Sequence, residues 1–123
     1  MKILHIEDTQ TIIDAFSKVL TRKGHDFSSC NNGKKGLELI LNNYYDLIFL
    51  DLTMPDFSGF DLLNELEKDG RHKDKNIVVV TATSLSTEGI DELYKKGVKG
   101  VLQKPVSLKD LMNEIKQTEL TVI

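Results

Sequence analysis

The sequence predicts a doubly wound α/β domain: one five-stranded parallel sheet with five helices divided between its two faces. Five short apolar runs alternate strictly with five amphipathic segments along the chain. Three of those runs, the first, third and fourth, are nearly continuous hydrophobics, the pattern of parallel strands covered on both sides. A length of 123 residues and a hydrophobic share of 40% suit one core, so residues 1–123 are read as a single domain.

The first strand is placed at Lys2–Ile6. Ile12, Ile13, Phe16, Val19 and Leu20 then recur at helical spacing, and Gly24 stops that helix. The second strand is placed at His25–Cys30, and Leu37, Ile40 and Leu41 mark the helix after it. Asp46–Leu50 is the third strand, followed by a helix marked by Phe60, Leu63 and Leu66 and closed by Gly70. The polar segment Asp69–Asn76 is read as a surface loop before the fourth strand, Ile77–Thr81. Ile90, Leu93 and Tyr94 mark the fourth helix, which Gly97 closes, and Gly100–Gln103 is the fifth strand. The last helix carries Leu108, Leu111, Met112 and Ile115 behind a capping-box pattern, Ser107 with Asp110 three positions on. The tail Thr118–Ile123 is expected to fray. No internal repeat, low-complexity segment or linker interrupts the alternation.

Composition narrows the class of function. A single cysteine, Cys30, cannot make an internal disulfide, which points to a reducing cytoplasm. Met1 leads straight into a strand-like run, so no secretory signal is read. No apolar stretch approaches the roughly 20 residues that a membrane helix needs, so membrane insertion is not expected. A net charge of −3 disfavours direct binding to nucleic acid, which wants a basic face.

In an open parallel sheet, ligands bind beyond the carboxyl ends of the strands. Here the first strand ends in Glu7-Asp8, the third in Asp51 and the fourth in Thr81, while the fifth ends just before Lys104-Pro105. Three carboxylates, a hydroxyl and an amine thus share one edge. Two carboxylates about 4 Å apart repel by roughly 4 kcal/mol at an effective dielectric near 20. A hard divalent cation offsets that repulsion, and an all-oxygen donor set favours magnesium. No histidine or cysteine stands at these positions to invite zinc. A cation, a lysine and a hydroxyl around a carboxylate are the equipment of phosphoryl transfer, with Asp51 as nucleophile and an acyl phosphate as product.

The set Glu7-Asp8, the run Asp51-Leu52-Thr53-Met54-Pro55 with Gly59, the pair Thr81-Ala82 and Lys104-Pro105 resembles the receiver domain of two-component response regulators. The match runs over essentially the whole chain, in order and spacing. The resemblance implies a flavodoxin-like sheet of order 2-1-3-4-5. It implies Asp51 as the phosphoacceptor, with Glu7, Asp8, Asp51 and the Thr53 backbone carbonyl as ligands of Mg2+. Thr81 resembles the switch hydroxyl, and Lys104 the partner of a phosphoryl oxygen, its bond to Pro105 expected to be cis. Pro55 and Gly59 shape the turn after the acceptor.

The implied function is a phosphoryl-accepting signalling switch of a phosphorelay. It would be charged by a histidine kinase or histidine phosphotransfer protein and read by a downstream protein target. It would catalyse its own phosphorylation and dephosphorylation rather than turn over a substrate. A stand-alone receiver of chemotaxis or phosphorelay type is expected, since the 123 residues leave no room for an output domain.

Two positions depart from the family. Val101 stands where receivers usually carry the Tyr or Phe that swings inward on activation, and Val98 stands where alanine is usual. Output is therefore expected through the loop around Thr81–Ser86 or another surface. Val101 also motivates an alternative, a phosphorylation-independent interaction receiver with a degenerate switch. An aspartyl phosphohydrolase commonly places a second acid two residues after the first, where Thr53 stands. A flavin site lacks its phosphate-cradling loop after the first strand, where acids stand instead.

Taken singly, Glu7-Asp8 reads as a solvated strand end or helix N-cap, Asp51 as a turn cap and Lys104 as a surface lysine. Convergence on one sheet edge is what overrides those readings. Thr81 as a buried structural hydroxyl competes with its switch role, and Thr53 and Thr83 are either tuners of water attack or plain loop residues. His5 is expected to be a hydrogen-bonded core residue. His25 and His72 are read as surface, Cys30 as core, and Tyr44, Tyr45 and Tyr94 as packing or rim.

Overall fold

Three uninterrupted apolar runs form the middle of the sheet. In the computed structural model, which describes residues 1–122, β1 (Lys2–Ile6), β3 (Leu47–Asp51) and β4 (Ile77–Thr81) are buried along nearly their whole length. β2 (Asp26–Cys30) and β5 (Val98–Gln103) take the two edges and are only partly covered. All pairings are parallel, in the order β2-β1-β3-β4-β5 that the resemblance implies. The helices are α1 (Gln10–Arg22), α2 (Gly33–Asn42), α3 (Gly59–Asp69), α4 (Thr87–Lys95) and α5 (Leu108–Val122), with a 3-10 turn at His72–Asp74.

Because successive strand side chains point to opposite faces, each strand feeds two cores. Ile3, Leu47, Phe49, Val78 and Val80 pack with Phe16 and Leu20 of α1 and Leu111 and Ile115 of α5. Leu4, Ile6, Ile48, Leu50 and Val79 pack with Ile40 of α2, Leu62, Leu63 and Leu66 of α3 and Leu93 of α4. Burying each such side chain contributes about 1.5–3 kcal/mol.

Caps set the helix ends. Asn32 and Ser86 accept the Lys35 and Gly89 N–H groups at the starts of α2 and α4. Ser58 and Asp61 form a full reciprocal capping box on α3, which the sequence pattern left unremarked, while Ser107 accepts the Asp110 N–H ahead of α5. Gly24, Gly70 and Gly97 all take positive φ where the first, third and fourth helices stop.

Several expectations change. β2 starts at Asp26, one residue late, and β5 starts at Val98, two residues early, because Gly97 turns the chain from α4 directly into the edge strand. β3 is shifted one residue, to end on Asp51 itself. Asp46 stays outside it, its carboxylate accepting the Lys2 N–H at 2.7 Å. Helix α5 runs through the expected fraying tail to Val122, Thr118 bonding back to the Glu114 carbonyl at 2.9 Å; Ile123 lies outside the described residues. Phe60, Tyr94 and Leu108, used above to mark helices, are 44%, 48% and 60% exposed, and Leu62 takes the core place on α3.

The histidines differ most. His5 is fully buried, as expected, but among the described residues neither ring nitrogen has a hydrogen-bond partner; its ring stacks on Phe16 at 4.2 Å. His25 and His72 are half-buried rather than on the surface, His25 Nδ1 lying 3.0 Å from the Met1 amine.

Candidate functional site

β1 is the strand from which the order departs in both directions, to β2 on one side and β3 on the other. That reversal opens a crevice beyond the carboxyl ends of β1 and β3. Glu7 and Asp8 follow β1 into it, Asp51 is the last residue of β3 and Thr81 the last of β4, and Lys104 follows β5. The structure brings all five to the same edge.

Glu7 and Asp51 are buried and Asp8 is exposed, yet one carboxylate oxygen from each lies within 4.8 Å of the others. Lys104 enters from the side, its Nζ 2.8 Å from Glu7 Oε1 and 3.5 Å from Asp51 Oδ2. The remaining carboxylate oxygens are held by main chain. Asp51 Oδ1 accepts the Thr53 N–H at 3.1 Å, and Glu7 Oε2 accepts the Thr9 N–H at 3.3 Å. Burial pushes the Glu7 carboxyl up to about 7; Lys104 pulls the other way and Asp51 adds to the rise. The Lys104–Pro105 bond is cis, as expected.

Thr81 is fully buried, its Oγ1 accepting the Thr83 N–H at 3.1 Å, and its carbonyl accepts the Lys104 N–H at 2.8 Å. Gln103 Nε2 donates to the Ala82 carbonyl at 3.1 Å, so the loops after β4 and β5 are tied together. Gly59 closes the opposite side: a Cβ there would overlap the Asp51 carbonyl oxygen and lie 2.8 Å from Leu52 Cα.

The donor set suits a hard divalent cation. Three carboxylates face one ammonium, every ligating atom is oxygen, and Glu7 Oε1, though ion-paired with Lys104, has no partner in hydrogen-bonding alignment. The main-chain contacts of Thr9, Thr53 and Thr83 went unread in the sequence. A backbone N–H leaves no residue-type signal.

A family model described as response regulator receiver domain matches residues 3–116. The chain is 32% identical over 122 residues to hybrid signal transduction histidine kinase B of Dictyostelium discoideum, covering 90% of this chain and 6% of that protein. It is 30% identical to transcriptional regulatory protein DltR of Streptococcus agalactiae, covering 94% of this chain and 50% of that protein. The chain thus spans half or less of these relatives. Among solved structures, the receiver domain of Francisella response regulator 1452 superposes with a TM-score of 0.85 at 30% identity, covering 98% of both chains. Response regulator TrrA of Thermotoga maritima, solved in complex with Mg(2+)-BeF, gives 0.79 at 26% identity, covering 96% of this chain and 99% of that one. No helix among the described residues is long and apolar enough to cross a membrane.

Proposed function

The chain belongs to the response regulator receiver domain family, and from that premise we propose that it is a phosphoryl-accepting signalling switch with Asp51 as acceptor. One observation carries the reading: Asp51, 3% exposed, sits at the sheet edge with one oxygen on the Thr53 N–H and the other facing Lys104. That leaves a carboxylate oriented by main chain, beside a cation able to neutralise an incoming phosphoryl oxygen.

The donor is a phosphohistidine on a histidine kinase or phosphotransfer protein. An Asp51 oxygen attacks phosphorus, the P–N bond breaks as the P–O bond forms, and the imidazole leaves with the bonding electrons. Glu7, Asp8, Asp51 and the Thr53 carbonyl would hold Mg2+, which when bound supplies charge neutralisation at the phosphoryl oxygens. Lys104 moves from its carboxylate partners to a phosphoryl oxygen. Thr81, whose hydroxyl accepts from Thr83 and still has its own proton to donate, turns toward the same group. Added charge near −2 at this rim then favours one loop arrangement over another. A downstream protein in the cytoplasm reads the change.

Val101 is half-buried and packs against the core on the α2–α3–α4 face, so no aromatic ring is available to swing in that position. This observation sustains the alternative of a phosphorylation-independent interaction module. Mass spectrometry after exposure to acetyl phosphate separates the two. The expected result is one phosphoryl group on wild type, dependent on Mg2+ and absent from Asp51→Asn; an unlabelled wild type favours the alternative.

A further inference from the structure

The loop after the acceptor reverses in a γ-turn, the Phe57 N–H donating to the Pro55 carbonyl at 2.7 Å. Asp56 sits at its centre with φ 67°, the one non-glycine positive φ among the described residues. Such a turn is rare and strained for an L-residue, and it persists where the surroundings hold it in place.

What holds it is the start of α2. Gly33, the first residue of that helix, is buried directly against the turn. A Cβ at Gly33 would overlap the Phe57 carbonyl oxygen and lie 3.1 Å from Phe57 Cδ1 and 3.3 Å from Met54 Cε. Asn32 caps this helix start by accepting the Lys35 N–H at 2.9 Å, which keeps the first turn of α2 intact where it meets the loop. On the other side, Gly59 at the start of α3 closes on the Asp51 backbone. The stretch from Leu52 to Phe57 is therefore gripped at both ends by helix starts that only glycine lets approach. Thr53, whose N–H orients Asp51, lies between the two grips.

We propose that Gly33 is a positioning residue for the acceptor loop: by letting α2 close onto the γ-turn, it holds Thr53–Pro55 at the spacing the acidic rim needs to take up a divalent cation. The proposal rests on the phosphoacceptor reading above and extends the site to a helix that contributes no ligand. Gly36, one turn further along α2, is the natural control. It is just as buried, but the three atoms nearest to a Cβ there all belong to the Ile6 side chain, at 2.7 Å for Cδ1 and 3.0 Å for Cγ1 and Cγ2, and none to the acceptor loop.

The test measures Mg2+ affinity by titration calorimetry, labelling rate with acetyl phosphate and the urea midpoint for wild type, Gly33→Ala, Gly36→Ala and Asp56→Gly. Gly33→Ala is expected to weaken Mg2+ binding and slow labelling about tenfold or more, the scale seen when supports of metal ligands are removed. Gly36→Ala, with a comparable loss of stability, keeps both within about twofold, because its contact is to a side chain outside the loop. Asp56→Gly relieves the strained φ and folds as well as wild type, yet loses Mg2+ affinity because the turn is freed. Gly33→Ala behaving like Gly36→Ala overturns the proposal. Should Gly33→Ala fail to fold, an unchanged affinity in Asp56→Gly overturns it instead. A wild type that binds Mg2+ without labelling at Asp51 sinks the phosphoacceptor reading alone, while one that binds no Mg2+ sinks the positioning role as well.

Discussion

At the scale of single residues, Lys104 and His5 are governed by the same balance between burial and charge. Among the described residues, Lys104 is the one cation paired with Glu7 and Asp51, at 2.8 and 3.5 Å. Lys104→Met removes the partner that pulls the Glu7 carboxyl down and the donor that would meet a phosphoryl oxygen. Labelling of Asp51 by acetyl phosphate is expected to slow roughly a hundredfold; an unchanged rate would remove Lys104 from the chemistry. Among the described residues, His5 has no hydrogen-bond partner to compensate its burial. Burial first and the Lys104 charge second hold its imidazole down to about 3, from 6.5 in the unfolded chain. Between those values the unfolded state binds the extra proton, so stability falls as pH falls. Glu7 works in the opposite sense: raised from 4.5 to about 7, it makes the folded state lose stability as pH rises through that window. A difference between variants isolates the first effect. His5→Phe should gain on wild type by about 1.4 kcal/mol per pH unit below 6.5, read from urea midpoints at several pH values. Parallel pH profiles would contradict it.

At the scale of elements, the two ends of α4 differ, one tied to α3 and the other entered from an exposed loop. Lys96, just past its last turn, reaches α3, with Nζ 2.7 Å from Asn64 Oδ1 and 3.3 Å from Glu67. Gly97 packs under the His72 backbone, leaving little slack there. The N-terminal end, by contrast, follows the largely exposed loop Ala82–Ser86, which comes directly after Thr81. With no aromatic at Val101, a Thr81 that moves on phosphorylation, as proposed above, would have this loop as its route outward. Hydrogen exchange on protein held phosphorylated by acetyl phosphate should therefore change at 82–89 and stay constant at 96–98. Changes confined to β5 would point to an edge-strand readout instead.

At the scale of the whole molecule, the fold concentrates negative charge at one rim and, among the described residues, sets Lys104 against it. Mg2+ held there, as proposed, would bind only the folded chain and so stabilise it by mass action, by about 2.7 kcal/mol at a hundredfold excess over the dissociation constant. Asp8, the exposed member of the rim, separates repulsion from ligation. Asp8→Asn is expected to melt higher than wild type in chelator and to lose the upward shift of wild type in Mg2+. A variant that still responds to Mg2+ would place the ion elsewhere.

The alternation of apolar runs with helical stripes determined the fold class by itself. Together with the order of acids, hydroxyl and lysine at the strand ends, it also picked out Glu7, Asp8, Asp51, Thr81 and Lys104, because side-chain period and strand polarity are local properties. Strand edges slipped by a residue or two at Asp26, Asp51 and Val98, where turn geometry outweighed composition. What the tertiary structure alone decided was contact between elements far apart in the chain: the orphaned ring of His5 against Phe16, the Lys96 tether, and the closure of α2 on the turn at Asp56. Those depend on how closely packed backbones approach one another across the sheet, a distance that no window of neighbouring residues encodes.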